Sequence, residues 1–216
     1  MINEMQEYYK HRATNYDVSM GYDNESTIYS QQPVIRYLQE SFKDQSLLEI
    51  ACGPCFWTQF VAKTAKSILA TDYNETTLVE AHKKNIDWSR VSLKQIDAYN
   101  LPSFPQKFTG AFAVDWFAHV PLSKRHKFLS NLHSCLVSNS EIIFCDQLPG
   151  NNSLTGNYDH EGNHLQKRSL PDGTIFTIIK NYLTENETLR LFKEFSSNIE
   201  IKQFPESKRW AIRYKI

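Results

Sequence analysis

The chain has 216 residues, enough for one complete hydrophobic core and too few to divide comfortably into two. Lysine plus arginine equals aspartate plus glutamate at 24 each, so the formal charge is zero and no bulk field favours nucleic acid or an anionic membrane. No apolar run reaches the roughly 20 residues of a membrane-spanning helix, and four cysteines are too sparse for a disulfide scaffold, so a cytoplasmic protein with reduced thiols is expected.

The polar start MINEMQEYYKHR lacks the apolar centre of a signal peptide and reads as a helix carrying Met5, Tyr8, Tyr9 and Arg12. A second helix begins near Pro33, where Val34, Leu38 and Phe42 recur every four residues and form one apolar face. Residues 1–45 are thus expected to form a helical cap. From Leu47 the pattern changes to short apolar runs: Leu47 to Ala51, Ser67 to Asp72, Val91 to Asp97, Gly110 to Asp115 and Ser140 to Asp146. Between them, Phe56 to Ala65, Glu75 to Asn85 and Leu122 to Leu136 have helical spacing, with Phe128, Leu132, Cys135 and Leu136 on one face. This alternation predicts an α/β fold, a Rossmann-like doubly wound sandwich whose parallel strands are joined by right-handed crossover helices.

A long polar stretch follows, Gln147 to Gly173, containing Asn151, Asn152, Gly156, Gly162 and the ionisable group Asp159, His160 and Glu161. Its length marks it as a functional insertion or a disordered one, and residues 147–175 are assigned to the substrate side. Phe176 to Tyr182 reads as a strand. Thr184 to Glu187 forms a capping box that starts a helix through Phe195. Ile199 to Phe204 and Arg209 to Ile216 alternate apolar and polar residues, as in an antiparallel hairpin at a sheet edge.

Most of the central runs end in an acid: Asp72, Asp97, Asp115 and Asp146, with Glu49 near the end of the first. Ligands of open parallel sheets bind outside the carboxyl ends of the strands, so these acids converge on one edge. Each could instead cap the helix that follows it. Gly53 precedes Asp72 by a spacing near the roughly 20 residues that separate a glycine turn from a ribose-binding acid. A carboxylate suits a ribose because it can accept both hydroxyl hydrogens. In the same turn, Cys52-Gly53-Pro54-Cys55 has the spacing of a disulfide oxidoreductase. Against that reading, Ala51 stands where thioredoxins usually carry Trp, and their fold needs about half this length. No second close cysteine pair or His-x3-5-His follows, so no metal site is expected.

From about residue 35 onward the chain resembles the class I S-adenosylmethionine-dependent methyltransferases of the small-molecule type. LLEIACGPCFWTQFVA is similar to their first motif, ATDYNETTLVEA to their second, QIDAYNLP to their third and FTGAFAVDWFAHVP to their fourth. The resemblance implies a seven-stranded sheet with one antiparallel strand, S-adenosyl-L-methionine as cofactor and a small-molecule methyl acceptor. It implies that Glu49 contacts the amino end of the cofactor, that Ala51 and Gly53 approach its methionine and ribose, and that Trp57 lies nearby. Asp72 would hold the ribose hydroxyls, Tyr73 or Asn74 would lie over the adenine, Asp97 would bond its amine beside Ala98, and Asp115 and Trp116 would line the methionine side. Ala51 and Cys55 depart from the family's usual glycines.

Further residues carry open alternatives. His119 in DWFAHVP is either a general base at the crevice or a loop hydrogen-bonder. His160 and His164 are weaker candidates. Tyr9 and Arg12 belong to a segment that would close over the cofactor, where an aromatic face attracts a sulfonium. Arg12 could bind the cofactor carboxylate or a substrate acid, or simply pair on the surface. Transfer to an oxygen or nitrogen is the activity expected. A non-catalytic cofactor binder is the rival from another class, and a dithiol oxidoreductase using Cys52 and Cys55 is a more distant one. Nucleic-acid methylation is disfavoured by the neutral charge and by DWFAHVP standing where an Asn-Pro-Pro-Tyr type sequence would be.

Overall fold

The computed structural model describes residues 2–150 and 155–216, so Asn151 and Asn152 of the polar stretch lie outside the described residues. The strands in chain order are β1 (Ser46–Ile50), β2 (Ser67–Asp72), β3 (Val91–Gln95), β4 (Phe108–Val114), β5 (Leu136–Gln147), β6 (Leu165–Ser169), β7 (Ile175–Ile179), β8 (Ile199–Phe204) and β9 (Arg209–Lys215). Seven of them form one sheet in the order β3-β2-β1-β4-β5-β9-β8, while β6 and β7 pair as a separate ribbon. Only β9 is antiparallel to the rest, because it pairs antiparallel with both β5 and β8.

Both faces of the central strands β1 and β4 are buried along most of their length, which is why they read as apolar runs. Along β5, Ile143 and Cys145 enter one hydrophobic cluster and Ile142 and Phe144 the other, and Leu47 and Leu48 divide in the same way in β1. Helices α4 (Gln32–Ser41), α5 (Thr58–Val61) and α6 (Glu75–Ala81) cover the first face through Val34, Leu38, Val61, Leu78 and Ala81. The second face is covered by α7 (Arg125–Ser134) and α8 (Glu185–Phe192) through Phe128, Leu132 and Phe192. The capping box at Thr184 is formed as its sequence requires, with Glu187 returning a bond to the Thr184 N–H at 2.8 Å.

The cap is more broken than the expected pair of helices. It contains α1 (Ile2–Arg12), α2 (Tyr16–Met20) and α3 (Glu25–Ser30) before α4. Gly21 ends α2 at a φ of 70°, and the Asn24 side chain caps α3 by accepting the Ser26 N–H at 2.8 Å. Helix α1 does not lie on the sheet. Met5 and Tyr8 pack with Ile178 of β7 in a small third cluster, and Glu4 accepts the Thr177 N–H at 2.6 Å. The polar insertion therefore supplies β6, one strand of the ribbon beneath α1. Its acidic turn is fixed locally: Asp159 accepts the N–H groups of Glu161 and Asn163, and Glu161 accepts the Ser123 hydroxyl at 2.7 Å.

The chain leaves β1 toward β2 on one side and enters β4 on the other. That adjacency makes the carboxyl ends of β1 and β4 the topological switch point, where doubly wound sheets open a crevice.

Candidate active site

The turn after β1 is built from left-handed residues. Ala51, Gly53 and Cys55 have φ values of 52°, 54° and 61°, a conformation that costs a residue with a Cβ roughly 1–2 kcal/mol. Ala51→Gly should therefore raise the unfolding free energy by about 1 kcal/mol, measured by urea denaturation. The turn is held by Asp72 at the tip of β2, whose two oxygens accept the Gly53 N–H at 3.0 Å and the Asn74 N–H at 2.8 Å. Burial raises the Asp72 pKa, and these backbone donors oppose the rise.

A cleft with about 820 Å³ of empty space, its open mouth included, lies over this turn. Its walls include Tyr9, Ala51, Gly53, Asp72, Tyr73 and Asn74 on one side, with Asp97, Ala98, Asp115, Trp116 and His119 on the other. The Asn74 amide donates to the Gln6 carbonyl at 3.2 Å, so its side chain anchors α1 and Tyr73 is left as the aromatic wall. Asp97 accepts the Tyr99 N–H at 2.9 Å and the Asn100 amide at 2.6 Å.

Three residues expected at the cofactor do not line this cleft. Glu49 is 2% exposed, and its carboxyl accepts the Thr58 hydroxyl at 2.6 Å behind the turn. Burial, with Cys55 adding to it, raises its pKa. Trp57 packs in the core, edge-on to Phe56 at 5.0 Å. Arg12 lines a neighbouring cavity instead. The cysteines of the turn are buried as well, Cys55 fully, and Cys52 is pushed up in pKa by burial. Neither presents a nucleophile to a protein disulfide.

Asp115 lines the cleft, but its charge is already matched. It sits at a φ of 59° and receives a two-point contact from Arg209, at 2.7 and 3.2 Å, plus the Tyr22 hydroxyl at 3.3 Å. Arg209 opens β9 and carries no spacing signal toward Asp115, so sequence reasoning did not find it.

His119 ends the 3-10 turn Phe117–His119 after β4 and is 5% exposed. Its Nδ1 lies 2.5 Å from the Ile179 carbonyl, which can only accept, so Nδ1 carries the hydrogen. Nε2 then accepts the Tyr9 hydroxyl at 2.9 Å. Burial and the nearby Lys180 hold its pKa well below the ordinary imidazole value. The expected proton acceptor is thus a neutral ring occupied on both sides. His164 is structural too, bonded at Nδ1 to the Lys180 carbonyl and at Nε2 to Thr155, and His160 is exposed.

The second cavity, with about 600 Å³ of empty space, adjoins the first. Tyr9, Tyr16, Asp115 and His119 line both, and Arg12, Arg168 and Lys180 complete the far side. Arg168 and Lys180 were not legible beforehand, being isolated cations within and just after the insertion.

Residues 47–139 match a family model described as a methyltransferase domain. No curated protein sequence matches the chain. Among solved structures it is similar to a DhpI–SAM–HEP complex, at 21% identity over 100% of this chain and 97% of that one, with a TM-score of 0.82. It is similar to the N-methyltransferase NodS from Bradyrhizobium japonicum WM9 in complex with S-adenosyl-l-homocysteine, at 12% identity over 95% of each chain and a TM-score of 0.66. A Clostridium acetobutylicum ATCC 824 S-adenosylmethionine-dependent methyltransferase gives 16% identity over 96% of this chain and 98% of that one, with a TM-score of 0.64. The sheet order and the overall likeness to these structures converge: the chain has the fold of the class I S-adenosylmethionine-dependent methyltransferases, and its residues 47–139 match the methyltransferase domain model.

Proposed function

We propose that the cleft binds S-adenosylmethionine and that the protein transfers its methyl group to an oxygen or nitrogen of a small molecule held in the adjoining cavity. The observation that carries this reading is the shared wall: one cavity abuts the strand tips and the other touches it across Tyr9, Tyr16, Asp115 and His119. The residues fit the cofactor. Asp72 retains lone pairs for two ribose hydroxyls beyond the backbone donors it already accepts, Asp97 stands at the tip of the next strand for the adenine amine, and Ile96, Tyr73 and Ala98 supply flat apolar walls. The DhpI and NodS structures of the same fold hold SAM or SAH.

When bound, the sulfonium supplies the leaving group, so the protein's contribution is alignment, worth up to roughly 7–11 kcal/mol. Tyr9 lines both cavities, and on this reading it would stand at the boundary where transfer occurs; His119 fixes its hydroxyl by accepting from it. His119 acts as a positioning residue. With its pKa held low, it stays neutral through the working range, and the rate of methyl transfer should show no imidazole limb between about pH 6 and pH 8. A pH profile of kcat/KM checks this. An inflection near the ordinary histidine value of roughly 6.5 would restore the base role.

The cofactor assignment is tested by calorimetric titration with S-adenosylhomocysteine and, separately, NAD. Heat is expected with the first alone. Absence of heat with S-adenosylhomocysteine would sink the reading.

A further inference from the structure

The geometry points to an anionic methyl acceptor, an oxyanion of a small carboxylic or phosphorus acid, held between Arg12 and Arg168 in the cavity beyond Tyr9 and His119. This rests on the reading of the adjoining cleft as the S-adenosylmethionine site.

Cations reach this cavity from three places: Arg12 from the end of α1, Arg168 from β6 and Lys180 from just after β7. Lys180 lies 3.6 Å from Asp146, and Asp115 lies 2.7 Å from Arg209, so those two pairs cancel. Arg12 and Arg168 remain. Arg12 donates to the Ser19 hydroxyl at 3.0 Å and lies 4.8 Å from the centre of the Tyr16 ring; Arg168 donates to the Gln166 amide oxygen at 2.5 Å. Among the described residues neither has a carboxylate within ion-pair distance, and both are half-buried. Two guanidinium groups without a carboxylate partner therefore face one cavity. Their planar forks match the geometry of carboxylate and phosphate oxygens. The surrounding field is felt at the wall: after burial, the causes that lower the His119 pKa include Lys180, Arg168 and Arg12.

Among the described residues that surround this cavity, no side chain is a free base. Both ring nitrogens of His119 are engaged, Asp115 is held by Arg209, and Asp146 accepts the Ala118 N–H at 3.0 Å beside Lys180. A neutral alcohol would need one of these to take its proton. An amine would add a positive charge to a cavity that already carries two. An oxyanion needs neither. Its oxygen lone pair forms the O–C bond, the C–S bond breaks, and the released electron pair stays on sulfur. No proton moves, and one positive and one negative charge vanish together.

The test begins with protein saturated with S-adenosylhomocysteine and titrated with inorganic phosphate, acetate and acetamide. At least one anion is expected to bind while the neutral amide does not, and the stronger of the two identifies the class of acid. Arg168→Gln should weaken that anion at least tenfold and leave S-adenosylhomocysteine affinity within twofold, and Arg168→Lys should recover part of the loss. Turnover of S-adenosylmethionine with monocarboxylates and phosphate monoesters should yield O-methyl esters by mass spectrometry. The proposal falls if acetamide binds as well as the anions, if Arg168→Gln leaves anion binding unchanged, or if only amines and neutral alcohols are methylated. Failure of the underlying reading is separately visible, as absence of heat in the first saturation with S-adenosylhomocysteine.

Discussion

Asp72→Ala should weaken S-adenosylhomocysteine binding by at least about 100-fold while leaving a folded but less stable protein. Each hydrogen bond from a ribose hydroxyl to a carboxylate is worth about 1.5–3 kcal/mol, and the loss of two such bonds amounts to at least about 3 kcal/mol, or two decades in affinity. The same carboxylate joins the turn after β1 to the turn after β2 through the Gly53 and Asn74 N–H groups. Removing it leaves both donors without their acceptor and releases a turn with three left-handed residues. Asp72→Asn separates the two effects. Its single amide oxygen can serve one backbone donor, while its NH₂ is aimed at the other, so affinity should fall by about tenfold and stability by less than in the alanine variant. Calorimetric titration of the three proteins, with thermal scans alongside, distinguishes the cases. Affinity within threefold of the parent in the alanine variant would remove Asp72 from the ribose site.

The second large effect is expected from Arg209→Ala, which should cost about 3–5 kcal/mol of stability. Arg209 and Asp115 are both nearly inaccessible, and the guanidinium also donates to the Ser207 carbonyl at 3.1 Å, the Tyr22 hydroxyl at 3.0 Å and the Gln31 side chain. Truncating the arginine leaves a desolvated carboxylate whose Coulombic partner is gone. The pair's net value is smaller than this cost, because both charges had to leave water to form it. Combining Arg209→Met with Asp115→Asn should therefore be less damaging than Arg209→Ala alone, and asparagine tolerates the positive φ at that position. Urea denaturation of the variants gives the coupling. A loss below about 1 kcal/mol for the single variant would mean that water reaches the pair and screens it.

The sheet was legible because its central strands are buried on both faces and stop at recognisable acids. Leu47 to Ala51 and Ser67 to Asp72 fall within a residue of β1 and β2. Strand β5 was read too short because its first half carries Ser138, Asn139 and Ser140, and its pairing with β4 shifts register between Phe108 and Gly110. Strand β6 was missed outright. LQKRS has neither alternation nor an apolar run, and it is a strand only because β7 pairs with it. At the candidate site, Asp72, Asp97, Asp115 and His119 stood out by lying at or just after strand ends. Glu49 and Trp57 do not line the cleft because the end of β1 and the residues that follow do not all face one way: the turn lies on the crevice side, whereas Glu49 points to Thr58 and Trp57 to Phe56. Arg168, Lys180 and Arg209 gave no sign at all, since long-range pairing between single charges leaves no local pattern in a chain.

The small cluster of Met5, Tyr8 and Ile178 has a consequence for motion. Helix α1 is seated on the ribbon by this cluster and by its bonds to Thr177 and Asn74, whereas the sheet is held by two much larger clusters in which α1 takes no part. Lifting α1 costs only its own few contacts, so it is a unit of low local stability set on a scaffold of high stability. Tyr9 travels with it, and with Tyr9 goes the wall shared by both cavities. Displacement of α1 would therefore remove one wall from both cavities at once.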